Sequence, residues 1–94
     1  MGETLTNVST DIDLFSFRIP LGISAGIAPF NFPAMIPLWM FPVGITCGNT
    51  YIMKPSERVA GASIYLMQLL EKTGIPKGVV NMIHGDKTIV DEIC

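Results

Sequence analysis

The sequence predicts an α/β fold in which parallel strands alternate with crossover helices, and three observations support this prediction. Short apolar segments alternate with longer segments of helical periodicity over residues 22–94, in the order strand, helix, strand, helix, strand, helix. Connections that contain a helix bring successive strands into the same direction. The first strand, residues 22–28, is largely apolar on both faces, which is typical of strands covered by helices on both sides of a sheet.

Residues 1–21 precede this βαβαβα unit and are predicted to form an N-terminal arm or ribbon. Polar and apolar side chains alternate in part over residues 11–21, which favours an extended strand over a helix. Pro20 then separates this strand from residues 22–28. Because residues 22–28 are apolar on both faces, we expect them in the middle of the sheet.

The first helix is expected directly after Asn31, because asparagine is a favoured N-cap residue. Pro42 lies well inside this helix and predicts a kink or a change of direction. Gly48 is expected to end the helix, and a strand should follow over residues 50–53.

The second helix, over residues 59–73, has the clearest signals in the chain. Apolar side chains recur at helical spacing, and Gly74 and Pro76 follow as a stop signal. A strand is then predicted over residues 79–83, and Asp86 can cap a last helix. The buried side of this last helix is expected to contain Ile89, Val90 and Ile93.

The composition indicates a part of a larger protein. Hydrophobic residues make up 49% of the chain and charged residues only 15%, whereas charged residues are about 25% of typical soluble proteins. Such a surface is too apolar for a free-standing small domain, so we expect other parts of a larger protein to cover it. The net charge of −2 argues against nucleic-acid binding, which needs a basic surface to neutralise phosphates.

A membrane span has to be considered because no charged side chain lies between Arg18 and Lys54. A spanning helix needs about 20 consecutive, mainly apolar residues. Pro33, Pro37 and Pro42 interrupt this region. We therefore expect no interaction with a membrane.

Several other residues receive structural interpretations. Residues 1–13 are polar and acidic where a targeting segment would be apolar, so no targeting segment is predicted. Cys47 and Cys94 lack the spacing of metal ligands and are interpreted as reduced thiols, with Cys47 buried; no metal site is predicted. His84 is interpreted as a loop residue. Three aromatic residues are expected in the core rather than as cofactor platforms: Trp39, Phe41 and Tyr51.

Polar clusters follow two of the predicted strands at the point where each strand ends. Phe30 and Asn31 follow the first strand of the unit, and a cluster from Lys54 to Arg58 follows the second. Ligands of α/β proteins gather at the carboxyl ends of strands, so we expect the clusters side by side. From the residues alone, Asn31 can also be a simple helix N-cap, and Lys54 with Glu57 an exposed ion pair.

Two motifs in these clusters carry a resemblance to a known family. Residues 29–33 are Pro-Phe-Asn-Phe-Pro and residues 54–57 are Lys-Pro-Ser-Glu. They match the P-[WF]-N-F-P turn and the K-P-[SA]-E strand end of the aldehyde dehydrogenase superfamily, which the sequence resembles from about Asp11 to Cys94. The resemblance implies that residues 1–94 are part of a Rossmann-like NAD-binding domain, with the catalytic domain absent.

The resemblance also implies how the clusters bind NAD. Lys54 would donate a hydrogen bond to one hydroxyl of the adenosine ribose, and Glu57 would accept one from the other. Arg58 would close over the adenosine side. Ala28 and Phe30 would meet the cofactor through backbone and ring.

The same resemblance makes Asn31 a catalytic residue. In aldehyde dehydrogenases the asparagine of this motif donates its side-chain amide to the oxyanion of the thiohemiacetal. A neutral, preorganised donor suits this task because it stabilises developing charge without losing a proton.

The continuous match over residues 25–42 implies a CoA-acylating member of the superfamily. The implied reaction oxidises methylmalonate or malonate semialdehyde with NAD, uses CoA as co-substrate, and yields propionyl-CoA or acetyl-CoA and carbon dioxide in valine, pyrimidine or inositol catabolism. The resemblance further implies a homo-oligomer in which dimers pair into tetramers. It implies a mitochondrial location in eukaryotes and a cytoplasmic one in bacteria.

The nucleophilic cysteine of the superfamily is expected beyond Cys94, because neither Cys47 nor Cys94 matches its motif. Residues 1–94 alone are therefore predicted to be catalytically inactive. The alternative hypothesis is a non-catalytic product, such as a truncated isoform or a pseudoenzyme fragment.

Overall fold

The structure is a computed structural model that describes residues 2–94, and it contains five strands and three helices. In chain order these are β1 (Gly2–Ser9), β2 (Ile12–Phe17), β3 (Ile23–Ile27), α1 (Met35–Thr46), β4 (Thr50–Lys54), α2 (Gly61–Lys72), β5 (Val80–Met82) and α3 (Lys87–Ile93).

Strands β1 and β2 form a separate antiparallel ribbon. Gly2 pairs with Phe17 and Leu5 with Leu14, and the register shifts before Ser9. All residues of both strands are exposed. The alternation in residues 11–21 predicts β2, but β1 carries no comparable signal because polar side chains dominate it.

The other three strands form a parallel sheet in the order β3-β4-β5, which confirms the predicted α/β class. Within residues 2–94 the middle strand is β4, and β3 lies at an edge. The prediction that residues 22–28 occupy the middle of the sheet is therefore wrong for the described part of the chain. Apolar faces indicate what lies above and below a strand, and they do not reveal how many strands lie beside it.

Helix α1 starts later than predicted. Its N-cap is Ala34, without a side-chain hydrogen bond, so the N-cap role expected of Asn31 is wrong. The physical reason is Pro33, whose ring disfavours helical dihedral angles at the preceding Phe32. The helix continues through Pro42, and the Thr46 hydroxyl donates to the Pro42 carbonyl at 2.7 Å.

The core of the sheet lies between β4 and α1. Phe41, Tyr51 and Met53 are at most 5% exposed, so the core positions predicted for Phe41 and Tyr51 are confirmed. The Tyr51 ring occupies a slot beside Gly26 and Gly44, where any β-carbon would collide with it.

Two residues predicted to be buried are exposed in the described chain. Trp39 is 63% exposed, and Cys47 is exposed as a free thiol, as is Cys94. Both Trp39 and Cys47 belong to an apolar segment, which predicts burial, but residues 2–94 leave both exposed. None of the helices in this range has the length and apolarity that crossing a bilayer requires.

The second half of the chain follows the sequence signals closely. Helix α2 ends just before Gly74, which has a positive φ of 83° as a C-terminal glycine should. Asp86 caps α3 by accepting a hydrogen bond from the Thr88 N–H at 3.0 Å. The three more buried residues of α3 are Ile89, Val90 and Ile93, as predicted.

Candidate functional site

The two polar clusters meet at the carboxyl ends of β3 and β4. The Ala28 N–H donates to the Lys54 carbonyl at 2.9 Å, which extends the parallel pairing by one bond beyond β3. The Arg58 guanidinium carbon lies 5.3 Å from the centre of the Phe30 ring, within the range of a cation–π contact. Four of the six predicted site residues thus form two contacting pairs between the ends of β3 and β4. These pairs are Ala28 with Lys54 and Phe30 with Arg58.

Lys54 is the most unusual residue of the site because it is a buried cation. It is 3% exposed, and its Nζ lies 3.1 Å from Oε2 of Glu57, whose side chain is 55% exposed. The interpretation as an exposed ion pair is therefore wrong for Lys54. An ammonium has three N–H donors, and Glu57 takes one of them.

Glu57 is held in its ionised form. A hydrogen bond from its own backbone is the largest cause that lowers the pKa of Glu57, followed by the hydrogen bond and the charge of Lys54. The carboxylate of Glu57 is therefore ionised below the usual titration range of a glutamate, next to the side chain of Lys54.

A tight turn positions Glu57 and Arg58. Pro55 and Ser56 are buried, and the Ser56 hydroxyl accepts from the Arg58 N–H at 3.3 Å. The Ser56 carbonyl accepts from the Val59 N–H at 3.3 Å. These two bonds fix the backbone of the turn between β4 and α2. This turn carries the exposed side chains of Glu57 and Arg58.

Asn31 lies in the turn between β3 and α1, and its environment is the opposite of that of the buried Lys54. It is exposed, and no hydrogen bond within residues 2–94 involves its side chain. Its amide is not used to cap α1, so it is available to a ligand.

Ser63 contacts the turn that carries Asn31, and the sequence does not reveal this contact. It has 0% exposure, and its hydroxyl donates to the Pro33 carbonyl at 2.9 Å. This bond joins α2 to the turn that carries Asn31. The only local signal is a single serine in a mainly apolar helix, because its acceptor lies 30 positions earlier.

The end of β5 lies at the same edge of the sheet. Hydrogen bonds from Thr88 are the main cause that lowers the pKa of Asp86, and the charge of Lys54 contributes to this shift. The Ile83 N–H donates to the Met53 carbonyl at 3.0 Å, which keeps the chain after β5 beside β4. Within residues 2–94, no three histidine, cysteine or carboxylate side chains converge as a metal site requires.

Comparison with known proteins identifies the family to which this fold and these motifs belong. The model of the aldehyde dehydrogenase family matches residues 1–94, the whole chain. The chain belongs to the aldehyde dehydrogenase family. The family assignment agrees with the resemblance carried by the two motifs at the sheet edge.

Among aldehyde dehydrogenases, the similarity is high to proteins of one name. The chain is 60% identical over 94 residues to the human mitochondrial methylmalonate-semialdehyde/malonate-semialdehyde dehydrogenase [acylating], covering 100% of this chain and 18% of that protein. The methylmalonate-semialdehyde dehydrogenase of Oceanimonas doudoroffii superposes with a TM-score of 0.92 at 52% identity, covering 97% of this chain and 19% of that one.

A third relative was crystallised as a complex with NAD. This Sinorhizobium meliloti protein, described as a methylmalonate-semialdehyde dehydrogenase, superposes with a TM-score of 0.93 at 48% identity. The alignment covers 97% of this chain and 18% of the bacterial chain. The chain thus spans about a fifth of the length of its relatives.

Proposed function

We propose that this chain supplies the adenosine side of the cofactor site and the oxyanion donor of an NAD-dependent, CoA-acylating semialdehyde dehydrogenase. The single observation that carries the proposal is the buried Lys54 paired with the exposed Glu57, at the same edge of the sheet as the turn that carries Asn31. A buried lysine is costly unless polar partners compensate for its lost hydration. A ligand with hydroxyl groups would provide these partners.

The chemistry of the pair fits the adenosine ribose of NAD. Each ribose hydroxyl can donate and accept, and the pair offers the complementary groups: spare N–H donors on Lys54 and a carboxylate acceptor on Glu57. Arg58 stacks on one face of the Phe30 ring, which is 56% exposed. Together they form an apolar and cationic border for the adenosine.

Ala28 can contact the cofactor through only one of its two backbone polar groups. Its N–H is already used by the Lys54 carbonyl, so only its carbonyl oxygen is left for the cofactor. The bound NAD would supply the chemistry of hydride acceptance, while the residues of this chain bind and orient it.

Asn31 is proposed as the donor to the substrate oxygen. A neutral amide aimed at the position where negative charge develops stabilises the transition state more than the ground state. Because the side chain has no partner within residues 2–94, no bond has to be broken before it donates.

The proposed substrates are taken from the names of the relatives. We propose methylmalonate or malonate semialdehyde as the aldehyde, and CoA as the acceptor of the acyl group with release of carbon dioxide. We also propose a mitochondrial location if the source is a eukaryote. From the family resemblance we further propose a homo-oligomer in which dimers pair into tetramers.

A segment exchange tests the proposal without depending on how the chain continues. The matching 94 residues of the human relative are replaced by this chain to give what we call the chimeric enzyme. We expect it to form NADH from malonate semialdehyde, CoA and NAD. The unmodified human enzyme is the positive control.

Two outcomes of this exchange would contradict the proposal. A chimeric enzyme that folds and assembles but neither binds NAD nor turns over would overturn it altogether. A chimeric enzyme that binds NAD without turnover would favour the non-catalytic alternative. The isolated 94 residues are expected to show no turnover in the same assay.

A further inference from the structure

Ser63 is buried in α2 but makes its hydrogen bond outside that helix. It is the one fully buried residue of α2, and its hydroxyl donates to the Pro33 carbonyl at 2.9 Å. Pro33 lies two positions after Asn31 in the chain. The serine is therefore bonded to Pro33, which only Phe32 separates from the proposed oxyanion donor.

Several contacts hold the turn that carries Asn31. At its first end, the Ala28 N–H donates to the Lys54 carbonyl at 2.9 Å, and at its second end Ser63 donates to Pro33. In between, Arg58 lies over the Phe30 ring, and the Phe32 carbonyl accepts from the Ile36 N–H at 3.3 Å. Among the described residues, the bond from Ser63 is the side-chain hydrogen bond that lies nearest to Asn31 in the turn.

We propose that Ser63 is a positioning residue for Asn31. Its bond to the Pro33 carbonyl fixes the second end of the turn and so sets where the Asn31 amide lies relative to the substrate oxygen. This inference rests on the role proposed for Asn31 and extends it to a residue on a different helix. The competing explanation is packing alone, since any buried hydroxyl needs a hydrogen-bond partner.

The size of the expected effect follows from how catalysis depends on geometry. A misplacement of 1 Å can lower a rate by about 10²-fold. Ser63→Ala removes one contact of the turn and leaves the others, so we expect kcat of the chimeric enzyme to fall by about tenfold and not further. Affinity for NAD should be unchanged, because Lys54 and Glu57 lie in another segment.

A double-mutant cycle separates positioning from packing. We expect Ser63→Ala to lower kcat per folded molecule when Asn31 is present and to have no further effect in the Asn31→Ala background. A residue that only supports packing would lower kcat equally in both backgrounds, or in neither. Either of those results overturns the inference.

A matched control removes the same kind of bond from the same helix. The Thr73 hydroxyl donates to the Leu70 carbonyl at 2.7 Å at the far end of α2, so Thr73→Val should leave kcat unchanged. If Ser63→Ala does not fold, Ser63→Cys retains the size and a weaker donor. The kcat of Ser63→Cys should then be lowered when Asn31 is present and show no further change in the Asn31→Ala background. An unchanged kcat with Asn31 present would overturn the inference.

Hydrogen exchange provides a readout that does not depend on activity. Deuterium uptake of the peptide covering residues 29–36 should rise in Ser63→Ala and stay constant in Thr73→Val. Unchanged uptake in Ser63→Ala contradicts the inference. An inactive unmodified chimeric enzyme would overturn the proposed function, whereas an active one with an unresponsive Ser63 would overturn this inference alone.

Discussion

Lys54 and Asn31 lie at the same edge of one sheet, yet their side chains differ in burial and in pairing. Lys54 is 3% exposed and paired with Glu57, whereas Asn31 is exposed and has no side-chain partner within residues 2–94. The proposed cofactor side of the site is thus held by contacts within residues 2–94. The proposed catalytic side is an exposed amide on a turn, and we propose that its position depends on how that turn is held.

This contrast predicts that mutations on the two sides affect different properties of the enzyme. Changes on the Asn31 turn should lower turnover and leave cofactor affinity intact. Changes at Lys54 or Glu57 should alter cofactor binding and leave the saturated rate largely intact. Each of the following experiments uses the chimeric enzyme and tests this division.

The largest effect is expected from Asn31→Ala. Loss of one oxyanion donor typically lowers kcat by about 10² to 10³-fold, and the Kd for NAD should not change. Asn49→Ala is the matched control, because the Asn49 side chain bonds only backbone groups of Gly22 and Gly44. If Asn31→Ala lowers stability but not turnover per folded molecule, Asn31 is structural.

A smaller effect is expected from Lys54→Met, which keeps the length of the side chain and removes its charge. Hydrogen bonds to charged groups contribute about 1.5–3 kcal/mol, so the Kd for NAD should rise by roughly 10 to 100-fold. At saturating NAD, kcat should be retained. Lys72→Met, at an exposed position of α2, serves as the control. Unchanged NAD affinity in Lys54→Met would place the ribose elsewhere.

Glu57→Gln is expected to change the preference between cofactors. The carboxylate should repel the extra phosphate of NADP on the adenosine ribose, although Lys54 would attract it. Removing the charge should shift the ratio of kcat/KM for NAD and NADP towards NADP by about one order of magnitude. Glu71→Gln is the control at an exposed carboxylate of α2, and an equal ratio in both variants would show that Glu57 does not face the ribose.

The pH dependence of this preference has a defined sign. Because the pKa of Glu57 is lowered, its carboxylate stays ionised below the usual range of a glutamate. Discrimination against NADP should therefore persist in mildly acidic buffer and disappear only as the pH falls through the lowered pKa. The Glu57→Gln variant should show no such transition, and a loss of discrimination at near-neutral pH would contradict the assignment.

The smallest effect is expected from Asp86→Ala, which removes the cap of α3. The midpoint of thermal unfolding should fall slightly because the Thr88 N–H loses its acceptor, while kcat and NAD affinity stay constant. Asp86→Asn keeps an acceptor and should be close to the unmodified chimeric enzyme. A lowered NAD affinity in Asp86→Ala would extend the cofactor side of the site to β5.

Local signals made much of the fold predictable. Helix α2 could be predicted because its apolar spacing and the stop at Gly74 depend on neighbouring residues only. The cap at Asp86 is local in the same way. The position of β3 in its sheet depends on which strands lie beside it, and the start of α1 depends on the effect of Pro33 on Phe32. Neither can be read from hydrophobic periodicity.

For the candidate site, residue types and motifs predict the members, which stay a prediction, but they do not predict the environments that the structure shows. The burial of Lys54 was missed because a lysine at the end of a strand is exposed in most proteins. Ser63 was missed because its acceptor is distant in the chain. The contact between Arg58 and Phe30 could be anticipated, since the ends of neighbouring parallel strands meet at one edge.

The most direct measurement is a crystal structure of the chimeric enzyme with NAD bound. We predict that Nζ of Lys54 and the carboxylate of Glu57 both lie within about 3.2 Å of the adenosine ribose hydroxyls, while the Asn31 amide makes no contact with that ribose. A ribose bound away from both side chains, with Lys54 still bonded only to Glu57, would contradict the proposed cofactor site.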